Sequence, residues 1–181
     1  DRTFILLQGA SSHFDNSGYA RGQPIVDYYR DGEPTQLPEN FYSSDFYTDE
    51  MIRYIDEGIS SGNPFFGYLS FSAPHFPLHA PKELIEKYIE RYMLGWDVIR
   101  EQRHASMKVL DVIDEDAEMA DRLERVPPWS ELTFEQKRYQ AKKMAVYAAM
   151  VDRLDQNVGR LIDYLKSINE YEDTVFFFLS D

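Results

Sequence analysis

Residues 65–81 read FFGYLSFSAPHFPLHAP, and the fold turns on the change of character in the middle of that stretch. Phe65 to Phe71 is a strand-length run, apolar on both faces apart from Gly67 and Ser70. That is the pattern of a strand buried in a sheet with helices on each side. A helix stop, Ser60-Ser61-Gly62-Asn63-Pro64, stands in front of it, and helix, tight turn, strand is an α/β signature. Ser72 to Pro81 then carries three prolines, which exclude regular helix or central strand. In open α/β sheets ligands bind beyond the carboxyl ends of the strands, where loops vary while the sheet holds them still. His75 stands in that position.

Outward from this stretch the pattern continues. Thr3 to Leu7 (TFILL) reads as a short buried strand, ended by Gly9-Ala10-Ser11-Ser12. From His13 to Phe46 no period holds, which predicts a long surface loop with one short hairpin. Thr48 is placed to cap a helix with Asp49 and Glu50 in its first turn and Ile52, Ile55 and Ile59 on its apolar side. On the other flank, Pro81 opens a helix whose stripe is Leu84, Ile85, Tyr88, Ile89 and Tyr92, closed by Gly95. Residues 96–126 read as helical in pieces, acidic from Asp111 to Asp121 and broken at Pro127-Pro128, so a helical acidic insertion is expected at about 96–130. A long helix is expected from Phe134 to Lys166, and Thr174 to Leu179 reads as a second buried strand, with Asp181 just beyond it.

Composition limits the function classes. The chain has 181 residues, 43% hydrophobic, with 32 acids against 19 Lys plus Arg and a net charge of −13, which repels nucleic-acid backbones. No apolar run approaches the roughly 20 residues of a membrane span. The absence of cysteine removes disulfides, thiolate metal sites and a cysteine nucleophile from these residues. Both ends adjoin apolar, strand-like runs, whereas domain ends are commonly polar and frayed. Residues 1–181 are therefore read as an internal part of a larger catalytic domain, a partial domain whose exposed sheet surface could drive homo-oligomer formation.

Histidine titrates near neutrality, so His75 could hold an anionic oxygen or give a proton to a leaving group; a turn histidine bonded to backbone is the alternative. His79, at the outer end of the same loop, is expected to be exposed. His13 could line the same rim or simply close a turn. Asp181 is a hard oxygen donor suited to Ca²⁺ or Mg²⁺, ions that need about six oxygens; capping a strand is its other use. Asp45, Asp49, Glu50, Asp56 and Glu57 spread around their helix and read as a solvated face. No GxGxxG, P-loop or GxSxG occurs.

The order FFGYLSFSAPHFPLHAP, GWDVIREQR (95–103), YAAMVDRLDQNVGRLIDYL (147–165) and a closing TVFFFLSD resembles the middle of a sulfatase of the arylsulfatase type, over nearly the whole chain. The resemblance implies an alkaline-phosphatase-like α/β fold, a sheet covered by helices, and hydrolysis of sulfate esters by a formylglycine nucleophile beside calcium. It implies that His75 contacts the sulfate or the leaving-group oxygen, and that Asp181, matching the aspartate of the family's S-D-N-G motif, is a calcium ligand. The C-x-P-S-R or S-x-A-x-R segment that supplies formylglycine is absent; Ser17-Gly18-Tyr19-Ala20-Arg21 has only its outer spacing. The isolated chain is accordingly expected to be inactive. The competing readings are a phosphate or phosphonate ester hydrolase of the same superfamily and a non-catalytic α/β interaction module using its acidic region.

Overall fold

The computed structural model describes residues 1–9, 11–19 and 22–180. The chain divides into two units, Asp1–Ala80 with Met150–Asp181, and Pro81–Ala149.

In the first unit, three short strands, β1 (Phe4–Leu6), β2 (Tyr28–Arg30) and β3 (Glu33–Thr35), form an antiparallel sheet in that order. Ile5 lies opposite Tyr29, which lies opposite Pro34. The turn between β2 and β3 is Asp31-Gly32, both at positive φ (52° and 86°). Asp-Gly is the pair that a two-residue hairpin with right-handed strand twist demands. Asp31 also accepts the Thr3 N–H at 2.7 Å. Val26, Tyr28 and Phe41 are buried beneath Phe4, Leu6, Leu37, Phe46 and Tyr47.

Helix α1 (Ser43–Ile59) begins five residues before the expected cap at Thr48. Thr48 lies inside the helix, where its hydroxyl donates to the Ser44 carbonyl at 2.9 Å. The true start is closed from a distance: the Ser43 N–H donates to the His13 carbonyl at 2.9 Å, satisfying a donor that a helix leaves open at its first turn. Glu50, buried on this helix, takes Arg30 from the sheet and Arg53 from its own next turn (2.6 Å).

Of the three runs read as buried strands, Thr3–Leu7 forms a strand over Phe4–Leu6 but leaves Ile5 and Leu7 exposed, and the other two are corrected by the structure. Among the described residues, neither Phe65–Phe71 nor Thr174–Leu179 pairs with a neighbouring strand. The first keeps the two-residue alternation of a strand. Phe65, Leu69 and Phe71 are half-buried and Gly67 lies against Met51 of α1, while Phe66 is 94% and Tyr68 80% exposed. In the second, Val175, Phe177, Phe178 and Leu179 are exposed. A strand forms only where another backbone supplies its hydrogen bonds, and no described segment supplies them here.

The second unit is helical. α2 (Lys82–Tyr92) follows Pro81 and ends before Gly95, whose φ is 90°. α3 (Trp96–Val109) and a single 3₁₀ turn at Trp129–Glu131 complete the unit with the first half of α4 (Phe134–Ser167). Tyr92, Ile99, Trp129, Ala141 and Ala145 form the core. The Trp96 and Trp129 rings meet edge to face at 4.8 Å, and Gly95 admits Trp129 because a Cβ there would lie 2.2 Å from its ring. Residues 111–125 form no helix or strand.

Candidate functional site

His75 occupies the turn after Phe65–Phe71. Its N–H donates to the Ser72 carbonyl at 2.9 Å, and its ring Nδ1 lies 2.6 Å from the Phe76 carbonyl. A carbonyl only accepts, so Nδ1 carries the proton and Nε2 is left as the reactive nitrogen. The residue is exposed. The backbone bond that one reading of the sequence expected is thus present, and it engages one nitrogen of the ring.

His79 is not exposed, as its place in the loop suggested, but half-buried. Its Nδ1 is 3.4 Å from the Ser12 hydroxyl and its Nε2 3.3 Å from the Tyr19 hydroxyl. The Phe14 ring lies 5.8 Å away and the Tyr42 hydroxyl donates to the His79 carbonyl at 3.2 Å. Burial lowers the proton affinity of His79, with Asp15 opposing. The physical reason for the reversal is that Ser12, Phe14, Tyr19 and Tyr42 gather around residue 79.

His13 is the third histidine of the group and is only 2% exposed. Nδ1 is 2.8 Å from the Ser43 hydroxyl and Nε2 3.2 Å from the His75 carbonyl. Burial is the main cause of its lowered pKa; the His75 carbonyl raises it, and the neighbouring His79 and His75 lower it further. The site thus joins the loop after β1, the start of α1 and the proline-rich loop.

Of the other candidate residues, Asp181 lies outside the described residues, as do Ala20 and Arg21 of the SGYAR stretch. Ser17 in that stretch bridges to Ile25, and its N–H donates to Asp15 at 2.8 Å. The acids of α1 are not simply solvated. Asp45 receives a bidentate pair from Arg153 (2.7 Å each) and the Asn157 amide at 2.8 Å. Asp49 receives Arg160, and Asp56 receives the Tyr164 hydroxyl at 3.1 Å. The motif VDRLDQNVGR on α4 is therefore the partner of one acidic stripe of α1. Among the described residues no three His, Cys, Asp or Glu side chains gather as a metal site.

Comparison with known proteins follows the same lines. The family model described as Sulfatase matches residues 3–181. An uncharacterized sulfatase of Schizosaccharomyces pombe is 41% identical over 188 residues, covering 99% of this chain and 34% of that protein. An arylsulfatase of Klebsiella aerogenes is 37% identical over 183 residues, covering 100% of this chain and 39% of that protein. The chain thus spans a little over a third of these relatives. Among solved structures, that of Ps i-CgsB superimposes with a TM-score of 0.57 at 20% identity, over 96% of this chain and 30% of that one. At that identity the likeness speaks for the fold alone. Family and neighbour agree on the alkaline-phosphatase-like α/β fold, of which this chain shows a small sheet and four helices.

Proposed function

From the premise that this chain belongs to the sulfatase family, we propose that it forms part of a sulfuric ester hydrolase and that His75 works at the oxygen of the scissile ester. The observation that carries the reading is the orientation of the His75 ring. With Nδ1–H held by the Phe76 carbonyl, the exposed Nε2 can accept or deliver one proton at a fixed place, as a general acid or an oxyanion contact requires. A small-molecule sulfate ester, an aryl sulfate in the first instance, is the substrate class.

The family's calcium and formylglycine do not find their site among the described residues: the carboxylates of α1 are engaged by Arg153, Arg160 and Tyr164, and the sequence holds neither a C-x-P-S-R nor an S-x-A-x-R segment. No step is built on either group. Bound calcium would polarise the sulfate oxygens, and we assign Asp181 to it as the ligand that this chain contributes. The nucleophile belongs to sequence other than these 181 residues, so the chain alone turns over no sulfate ester.

The test is release of phenol from aryl sulfates by the full-length protein carrying this segment, with metal analysis of the same sample. Turnover with bound calcium supports the reading. Turnover of phosphate esters with a zinc pair instead would replace it by the phosphatase alternative, and release of phenol by the isolated 181-residue chain would overturn the assignment of the nucleophile.

A further inference from the structure

We propose that His13 is a positioning residue for His75: as a neutral Nε2–H imidazole it ties the start of α1 to the backbone of the catalytic loop and sets where the His75 ring stands. The inference rests on the sulfatase reading for its consequence, but the link itself is read from geometry.

The tautomer follows from the partners. Nε2 faces the His75 carbonyl at 3.2 Å, and a carbonyl can only accept, so Nε2 bears the hydrogen. Nδ1 is then the acceptor, and the Ser43 hydroxyl donates to it at 2.8 Å. The Ser43 N–H donates to the His13 carbonyl at 2.9 Å. Residues 13 and 43 are thus joined by backbone and side chain, and His13 carries that pair to the catalytic loop by its hydrogen bond to residue 75, 62 positions away.

Burial keeps this relay in one state. His13 is buried, and the titratable groups that face it are His75 and His79, with the His79 ring at 6.3 Å; both oppose a charge on His13. The Tyr42 ring, also at 6.3 Å, closes another side. The Ser12 and Tyr19 hydroxyls hold His79 and leave His13 untouched. The loop has other anchors, including the Tyr42 hydroxyl on the His79 carbonyl (3.2 Å), so loss of the His13 bond should displace the loop at residue 75 without releasing it. A shift of about 1 Å at a catalytic group can lower a rate by roughly 100-fold.

The test uses the full-length protein and sulfate esters with good and poor leaving groups. His13→Leu removes both hydrogen bonds. The expected loss in kcat is about 100-fold for a poor leaving group and much smaller for a nitrophenol, with KM nearly constant, because misplacing an acid matters most where a proton is most needed. His13→Gln, whose amide nitrogen reaches the place of Nε2, should restore most of the loss. In a His75→Ala background, His13→Leu should add nothing further, since the two act as one unit.

Equal losses across leaving groups, a full additional loss in the His75→Ala background, or a folded His13→Leu protein with wild-type rates would each overturn the inference while leaving the sulfatase reading intact. Imidazole ¹⁵N NMR of the wild-type protein at neutral pH supplies an arm independent of activity and of variant folding. A neutral Nε2–H signal for His13 is expected; an Nδ1–H tautomer or a charged ring would overturn the link, whatever substrate the protein takes.

Discussion

The two halves of α4 are held by different physics. From Phe134 to Ala149 the helix presents Ala141 and Ala145, both fully buried, to the core that contains Trp129, Tyr92 and Ile99. From Met150 onward it presents Arg153, Asn157, Arg160 and Tyr164, and these take Asp45, Asp49 and Asp56 of α1. Small residues under a large ring make an apolar contact that depends on shape and is insensitive to salt. Guanidinium groups on carboxylates make a contact that depends on register. Arg153 and Asn157 share one carboxylate, and Arg160 in turn donates to the Asn157 carbonyl oxygen at 2.8 Å. A polar ladder of this kind fixes which turn of α1 lies opposite which turn of α4, next to the Ser43 end that carries the histidine group.

Substitutions should separate the two halves. Trp129→Ala opens a cavity over Ala141 and Ala145 and should cost about 3–5 kcal/mol in urea unfolding, unchanged by added salt; a loss below about 1 kcal/mol would mean that this core contributes little. Arg153→Met strips the bidentate partner from Asp45. Both side chains are partly exposed, so the expected cost is about 1.5–3 kcal/mol, the worth of hydrogen bonds to a charged group, and high salt should narrow the gap to wild type. The same cost at every ionic strength would make the contact one of packing.

A smaller effect is expected from pH. The folded-state pKa of His13 and His79 lies below the ordinary 6.5, chiefly through burial. The unfolded chain therefore takes up protons first as pH falls, and the stability these neutral rings contribute is complete above about 6.5 and declines below it. His13→Gln should flatten that decline in pH-dependent unfolding, and an unchanged slope would exclude His13 as its source. Smallest of all is Arg160→Ala, whose ion pair with Asp49 is largely exposed; about 0.5 kcal/mol is expected. A loss as large as that of Arg153→Met would show the ladder to be one cooperative network.

What could be read in the sequence was whatever depended on neighbours along the chain. The stripe of α2, the whole length of α4, a short hairpin between His13 and Phe46 and the break at Gly62 are local patterns, and each appears in the structure. The start of α1 was misplaced because its first N–H is satisfied by His13, 30 residues away, rather than by a side chain at its own end. The acids of α1 showed helical spacing but not their partners, which stand more than 100 positions later. Hydrophobic pattern likewise marked Phe65–Phe71 and Thr174–Leu179 as surfaces to be covered without saying by what. Their exposed side chains lead us to expect concentration-dependent association of the isolated chain, and light scattering from a monodisperse monomer at micromolar concentration would contradict it. The turn position of His75 follows from its place after an apolar run in a proline-stiffened loop; the hydrogen bond between its carbonyl and His13 does not, because no periodicity connects residues so far apart.

The central claim is that His75 Nε2 serves the ester oxygen. It is tested most directly by a series of aryl sulfates of graded phenol acidity, turned over by the full-length protein and by its His75→Ala variant. The account predicts a loss of about 10²–10⁴-fold for the least acidic phenol, shrinking steadily as the phenol becomes a better leaving group. A variant that matches wild type, or one that loses the same factor across the series, would contradict it.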